Sequence, residues 1–406
     1  MTPLTRTPPA IGPDTPVVVA ARRTPIGTAG HGLAAVDASG LLAPVLRAVL
    51  EDLPALDGRP PQPDEVIVGN CLGPGGNLAR YAALDAGLGA HVPAVTVDRQ
   101  CGSGQEAVHH GATLIRAGRA TLVLAGGVES ASTAPYRAFR PTPGGSGEPA
   151  QAAVPYERAP FAPPSLGDPE MGAAAEDVAD RFGISRQRQD RYAARSHTLT
   201  LAAAAAGAFA DELVPIAGLS ADERPRALRE EVLARLRPAF AAGGNKGSVT
   251  AGNSCGISDG AAVVAVVPES VRADWGVPGL ALLDWLTVGV DPRWPGVGPV
   301  PAVERLLGRC GLDVGDLGAL EITEAFAAQV LACTDAWRLD PFAGSVVCGQ
   351  GGAIALGHPW GASGALLVVR LFARLVRSGA DGGYGVATCA VGGGQGMALL
   401  AARVAG

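Results

Sequence analysis

The strongest constraint on this chain is its alternation of short, buried-strand runs with stretches of helical periodicity. Val17–Ala21 (VVVAA) is a β-branched run leading into a loop, and Glu65–Gly69 (EVIVG) is a second strand. Leu41–Leu53 between them has helical spacing. Ala94–Val97 leads to Cys101, Ser103–Ala117 reads as a helix, and Thr121–Ala125 (TLVLA) is a strand ending in Gly126-Gly127. Strands that alternate with helices in this way imply an α/β sheet with both faces covered. The rhythm breaks from Ser130 to Ser165, a stretch rich in Pro, Gly and Ala, and helical patterns follow over Glu176–Phe182 and Arg186–Phe209. Alternation resumes at Ala261–Val267, with further strands at Leu280–Val288 and Ala319–Ile322. Tyr384–Val391 (YGVATCAV) reads as a final short strand running into a glycine cluster. The expected organisation is a loose tail over 1–15, an α/β half over 16–129 and an inserted loop region over 130–258. A return to the first half over 259–272 and a second half over 273–406 complete it.

Composition narrows the function. At 406 residues the chain is long for one hydrophobic core, and 48% hydrophobic against 17% charged is a globular balance. Aromatics are only 4% while Gly numbers 57, so small side chains must fill the interior and let backbones approach closely. A net charge of −6 without long runs of one sign gives no basic stripe for nucleic acid. No apolar run approaches the ~20 residues of a membrane span, and Met1–Asp14 lacks the apolar core of a secretion signal. The seven cysteines are odd in number and form no CxxC, which argues against a disulfide framework or a zinc site and for a reducing cytoplasm.

Two segments carry chemistry. Asp98-Arg-Gln-Cys101-Gly-Ser-Gly104 sets a cysteine between a strand and a helix start, where backbone N–H groups and the helix dipole favour a thiolate. A structural cysteine at a glycine turn would look the same. Gly351-Gly-Ala-Ile-Ala-Leu-Gly357-His358-Pro-Trp-Gly361-Ala-Ser-Gly364 is more specific, because turn formers frame the histidine on both sides. Together they read as a Cys–His nucleophile and base.

These segments, with Gly392-Gly-Gly-Gln-Gly396, resemble the three thiolase signatures. Gly126-Gly-Val-Glu-Ser130, Thr250-Ala-Gly-Asn253, Asp259-Gly-Ala-Ala262 and Glu324-Ala-Phe-Ala327 resemble further thiolase motifs, in consistent order from about Val17 to the C-terminus. The resemblance implies a layered αβαβα fold of two similar halves with an inserted loop domain. It implies that Cys101 takes the acyl group of an acyl-CoA substrate and that His358 activates it, in reversible Claisen condensation or thiolysis of 3-oxoacyl-CoA. It also implies coenzyme A thioesters as substrates with no metal or other cofactor, and a homodimer or homotetramer. Met171, Arg226, Cys255 and Phe326 fall at substrate-binding positions.

Three positions depart from the pattern. Thr323 stands where thiolases usually have an Asn that holds a water, and a Thr hydroxyl holds one with different reach. The second catalytic cysteine sits two positions before the Gly triplet in the family; here Ala390 occupies that place and Cys389 lies one residue earlier. Neighbours on a strand face opposite sides, so Cys389 replaces it only if the strand bulges. Glu170 stands where biosynthetic members often have His; burial would raise its pKa and make it a substitute base, whereas a solvated loop carboxylate would do nothing. The alternative function is therefore an atypical thiolase-like acyltransferase that donates to another nucleophile or uses a different base. A non-enzymatic scaffold would not need an intact Cys101 and His358. A decarboxylating ketosynthase would need a second His or an Asn, and only His358 is framed for the role.

Overall fold

The computed structural model describes residues 9–55, 61–141, 152–240, 247–379 and 383–406. The first eight positions of the expected tail, and 142–151 and 241–246 of the expected loop region, lie outside the described residues.

The first part of the chain runs β1 (Pro16–Arg23), β2 (Gly27–Thr28), α1 (Ala38–Glu51), β3 (Glu65–Gly69), α2 (Leu78–Asp85), β4 (Ala94–Val97), α3 (Ser103–Arg116) and β5 (Val123–Ser130). Next come a small hairpin, β6 (Arg137–Phe139) and β7 (Val154–Tyr156), and the helices α4 (Met171–Arg181), α5 (Arg186–Ala205) and α6 (Glu230–Leu233). The chain then continues through β8 (Ser258–Pro268), α7 (Glu269–Trp275), β9 (Gly279–Gly289), α8 (Pro299–Cys310), β10 (Leu317–Ile322), α9 (Ala327–Ala336) and α10 (Ala353–Leu356). It ends with α11 (Trp360–Phe372), β11 (Tyr384–Val391) and β12 (Gln395–Val404). Local chemistry fixes several boundaries: Asp37 caps α1 by accepting from Gly40 N–H, and Ser185 caps α5 by accepting from Arg188 N–H. Tyr384–Val391 is not the final strand. The Gly triplet turns the chain back into β12, a long antiparallel partner of β11 that the glycine cluster hides in the sequence.

The main sheet has the order β10-β11-β12-β9-β1-β8-β5-β3-β4, with β2 added on β8. Its two ends repeat one pattern. β1 pairs antiparallel with β8, β8 antiparallel with β5, and β5 parallel with β3. In the same way β9 pairs antiparallel with β12, β12 antiparallel with β11, and β11 parallel with β10. A short antiparallel contact of β1 with β9 joins the halves. One apolar cluster sets α1 and α2 on the outer face of the first half, and another sets α8 and α9 on the outer face of the second. A third encloses α3 and α11 between the inward faces of both, giving five layers, α–β–α–β–α. Among the described residues, the chain between β5 and β8 adds no strand to this sheet.

The central layer positions the site. A Cβ on Gly104 of α3 would lie 2.7 Å from the backbone N of Ala365 and 2.8 Å from the carbonyl O of Gly361, both on α11. A Cβ on Gly364 would collide with the backbone of Gln105. The first turns of the two helices thus touch backbone to backbone, and the segments entering them, Cys101 and His358, converge on one crossing. Gly364→Ala is expected to cost about 1–3 kcal/mol through overpacking that backbone cannot relieve. Denaturant unfolding would show the lowered midpoint, and an unchanged midpoint would mean that the crossing tolerates a methyl.

Candidate active site

Cys101 sits at the tip of a tight turn before α3. Gln100 is in the left-handed region at φ 47°, uncommon for a residue with a side chain. The turn is held by Gly102 N–H to Arg99 O at 2.9 Å, Ser103 N–H to Gln100 O at 2.9 Å, and Ser103 Oγ accepting from Arg99 N–H at 2.8 Å. Cys71 packs under it and donates its thiol to Gln100 O at 3.2 Å. Arg99 ties the turn to β12 through Gln395 and to α3 through Glu106.

The thiolate expected from the helix start is not the resting form. The surrounding protein pushes the Cys101 thiol up to about 12, chiefly by burial, with the Glu129 and Asp98 carboxylates adding to it. A hydrogen bond from its own backbone N–H opposes this only in part. Glu129 is itself buried and held near 7 by that burial, although it accepts from Leu72, Gly361 and Cys71 N–H.

His358 is buried, and burial lowers its pKa to about 4, so the imidazole is neutral. Its backbone N–H donates to Gly256 O at 3.0 Å. Its Nδ1 lies 2.6 Å from Ser363 Oγ, and that hydroxyl donates to Pro359 O at 2.9 Å. The single Ser363 proton is spent on the carbonyl, so Ser363 accepts from Nδ1–H. Nε2 is then the unprotonated nitrogen; it is buried and has no protein partner among the described residues. The result is a neutral thiol and a neutral base, not an ion pair.

The other expected residues divide. Cys255 lies in the segment bridged to His358 and Phe326, donates its N–H to Ala325 O at 2.9 Å, and is close enough to Cys101 for charge on that sulfur to disfavour its own ionisation, which burial opposes most. Met171 opens α4, whose next residue, Gly172, packs on the Phe240 ring. Phe240 meets Phe326 edge-on at 6.1 Å, so Gly172 of α4 and Phe326 pack on one aromatic ring. Thr323 is buried, donates its N–H to Thr388 O at 3.2 Å, and leaves Oγ1 without a protein partner among the described residues. Arg226 is exposed and bonds to His197 and to Arg224 O. Glu170 is three-quarters exposed and pairs with Arg158 at 3.1 Å, a solvated loop carboxylate.

Cys389 does not take the expected catalytic place. The ladder between β11 and β12 is regular, with Cys389 opposite Met397 and Ala390 opposite Gly396, and no bulge restores the register. Cys389 is fully buried in the central layer and donates to Gln105 Oε1 at 3.4 Å. Ala390 holds the opposite face and is partly exposed.

The chain matches the family model described as "Thiolase, N-terminal domain" over residues 16–270, and "Thiolase, C-terminal domain" over 278–403. This chain belongs to the thiolase family. Among its relatives, "Putative acetyl-CoA C-acetyltransferase VraB" of Staphylococcus aureus (strain MRSA252) is 40% identical over 395 residues, 95% of this chain and 99% of that protein. "Putative acetyl-CoA C-acetyltransferase YhfS" of Bacillus subtilis (strain 168) is 41% identical over 390 residues, 95% of this chain and 98% of that protein. The crystal structure of the Bacillus anthracis acetyl-CoA acetyltransferase superposes with a TM-score of 0.86 at 36% identity, covering 99% of this chain and 100% of that one. The layered thiolase architecture agrees with the sequence-based expectation.

Sequence reasoning about this thiolase missed three contributors. Ser363, inside the histidine motif, fixes the tautomer, and its place one turn into α11 was the available signal. Gln105, which holds Cys389, and Arg224, which lies against Gly256, carry no motif.

The neutral pair has a pH signature. With His358 neutral above about 4 and the Cys101 thiol at about 12, base-assisted alkylation of Cys101 by iodoacetamide should be flat between about pH 5 and 8. In His358→Ala only free thiolate reacts, so the rate should climb about tenfold per pH unit. A native rate that climbs equally steeply would remove His358 from the role.

Proposed function

We propose that this thiolase carries an acyl group on Cys101 during reversible Claisen condensation and thiolysis of 3-oxoacyl-CoA. The observation that supports this best is the buried, unprotonated and unpartnered Nε2 of His358 at the helix crossing that also presents Cys101. His358 Nε2 takes the thiol proton as Sγ attacks the thioester carbonyl. The carbon–sulfur bond of the donor breaks, and the leaving thiolate recovers the proton from His358. Base help of this kind contributes about 10²–10⁴-fold. The scheme uses coenzyme A as a substrate and needs no metal or other cofactor. A thiol nucleophile and seven free cysteines suit a cytoplasmic setting. Among the described residues no helix is long and apolar enough to cross a membrane.

The position of Cys389 favours a second reading for the later half-reaction. Carbon–carbon chemistry needs a base within about 3 Å of the α-proton of the second thioester. Ala390 has no such group, and Cys389 is committed to Gln105. In this reading the acyl group passes to another nucleophile or the proton to a different base. Incubation with acetyl-CoA and with acetoacetyl-CoA separates the two. Intact-protein mass spectrometry should show an acetyl adduct that is absent in Cys101→Ser, while carbon–carbon bond formation is slow. Ala390→Cys should raise it by about tenfold or more, and Cys389→Ala should leave the adduct in place. Fast native thiolysis that disappears in Cys389→Ala would reject the second reading, and an adduct that persists in Cys101→Ser would reject the first.

We also propose a homodimer or homotetramer. Strand β4 is an open sheet edge with Val95 exposed, and neighbouring α2 exposes Tyr81 at 66% and Leu84 at 46%. An apolar open edge of this kind is a pairing surface. Light scattering should give at least twice the chain mass of 40.7 kDa; an active monomer would overturn the assignment.

A further inference from the structure

Carbon–carbon chemistry beside a thioester requires a proton to be moved at the α-carbon, and no group assigned so far moves it. The thiols show which group is free to do so. Cys71, Cys310, Cys333, Cys348 and Cys389 each donate the thiol proton to a protein oxygen. Among the described residues Cys101 and Cys255 do not, and both are partly exposed. A thiol spent on a protein acceptor is a packing group, whereas one left free is available to a substrate.

The backbone pins Cys255 beside the Cys101–His358 pair. Its N–H donates to Ala325 O at 2.9 Å, and Ala325 N–H donates to Thr323 O at 2.9 Å. Ser254 bridges to Phe326, and Ala327 N–H donates to Asn253 O at 2.9 Å. The next residue, Gly256, accepts the His358 N–H at 3.0 Å. Cys255 is therefore held between the Thr323 segment and the His358 segment. Thr323 Oγ1 and His358 Nε2 on those segments are both buried and without a protein partner among the described residues. The Cys255 sulfur lies within electrostatic reach of Cys101. The other acids nearby are committed. Glu129 accepts from Cys71, Leu72 and Gly361 N–H, and Glu324 accepts from Tyr192, Ser196 and Ile354 N–H.

We infer that Cys255 is the acid and base that moves the α-proton in the second half-reaction. This deepens the reading in which the proton passes to a different base, and it rests on acyl transfer through Cys101. Once the departing thiol has taken the Cys101 proton back from His358, Nε2 is free again and takes the proton of Cys255. The Cys255 thiolate takes the α-proton of the second thioester. The electron pair left on that carbon forms the bond to the acyl carbon, and the Cys101 sulfur leaves with the proton held by His358. The Cys255 proton now on Cys101 and the α-proton now on Cys255 leave both thiols and the imidazole as they began. Acylation itself favours the step. Burial, and then charge on Cys101, hold the free Cys255 thiol up at about 12. A Cys101 thioester carries no charge, so the second cause disappears. Arg224, whose guanidinium rests on Gly256, continues to favour the Cys255 thiolate.

The test follows deuterium from D2O into the methyl group of acetyl-CoA, alongside the rate at which the Cys101 acetyl adduct forms. It compares the native chain with Cys255→Ser and Cys255→Ala. The native protein should exchange the methyl protons. Both variants should lose at least about tenfold more in exchange than in adduct formation. Ser is nearly the size of Cys but lacks its acidity, so Ser falling together with Ala separates proton transfer from packing. Exchange in Cys255→Ser at the native rate, or a fall in exchange matched by the fall in adduct formation, would mean that Cys255 only shapes the wall. Absence of exchange in a native protein that forms the adduct would mean that Cys255 moves no proton. Each of these results overturns the inference and leaves the Cys101 reading standing. A native protein that forms no adduct would overturn the Cys101 reading, and the inference with it.

Discussion

The site depends on one steric condition: α3 and α11 must meet backbone to backbone. Each helix follows a turn that presents a functional side chain, Cys101 before α3 and His358 before α11. Side chains at Gly104, Gly361 or Gly364 would force the helices apart and separate Cys101 from His358. The same contact joins the halves, because Gly361 N–H also donates to Glu129 at the end of β5. A single carboxylate therefore holds the start of α11, the end of β5 and the 70–72 segment beneath the Cys101 turn. Alignment of the Cys101 and His358 turns and the packing of the two halves are one constraint, which explains why a chain with so few aromatics uses glycine where other cores use bulk.

Burial then sets the electrostatics. In a partly solvated cleft, a cysteine at a helix start and a histidine would share charge as thiolate and imidazolium. Here the low-dielectric surroundings raise the thiol and lower the imidazole, so both neutral forms are favoured. Ser363 makes this arrangement specific. By donating to Pro359 O it must accept from Nδ1–H, and that leaves Nε2 unprotonated.

Much of this was legible in the sequence because it rests on local rules. The β-branched runs at Val17–Ala21, Glu65–Gly69 and Ala261–Val267 lie within β1, β3 and β8, and the glycine frames around Cys101 and His358 mark the two turns that meet. What was not legible depends on contacts distant in sequence. β12 was hidden because a glycine triplet at the end of Tyr384–Val391 reads as a loop, and only pairing with β9 and β11 makes the following residues a strand. The protonation of Cys101 was misjudged because a helix start is a local feature, whereas the desolvation that outweighs it comes from the whole fold. Arg224 carried no signal at all. Its position follows from Asp222 and Glu223 bonding to residues about 200 positions earlier.

The register of β11 was the open question that sequence framed correctly but could not settle. A bulge would have turned Cys389 towards the substrate, and its absence has a structural cause. β11 is paired on both sides, parallel to β10 through Ile322–Thr388 and antiparallel to β12 through Val391–Gln395. β12 is locked in turn by β9, and Gly396 packs so closely on the Gly298 backbone that no side chain fits between them. An extra residue in β11 would have to shift β12 against Gly298 or leave ladder groups of a buried strand unpaired, and either is costly. Cys389 is therefore fixed on the core face, where Gln105 satisfies its thiol and Ala387 O accepts from the same amide. The position facing the other way is a methyl group. A one-residue difference in a locked strand thus decides which side chain faces the core and which the opposite side, while the fold of the family is kept.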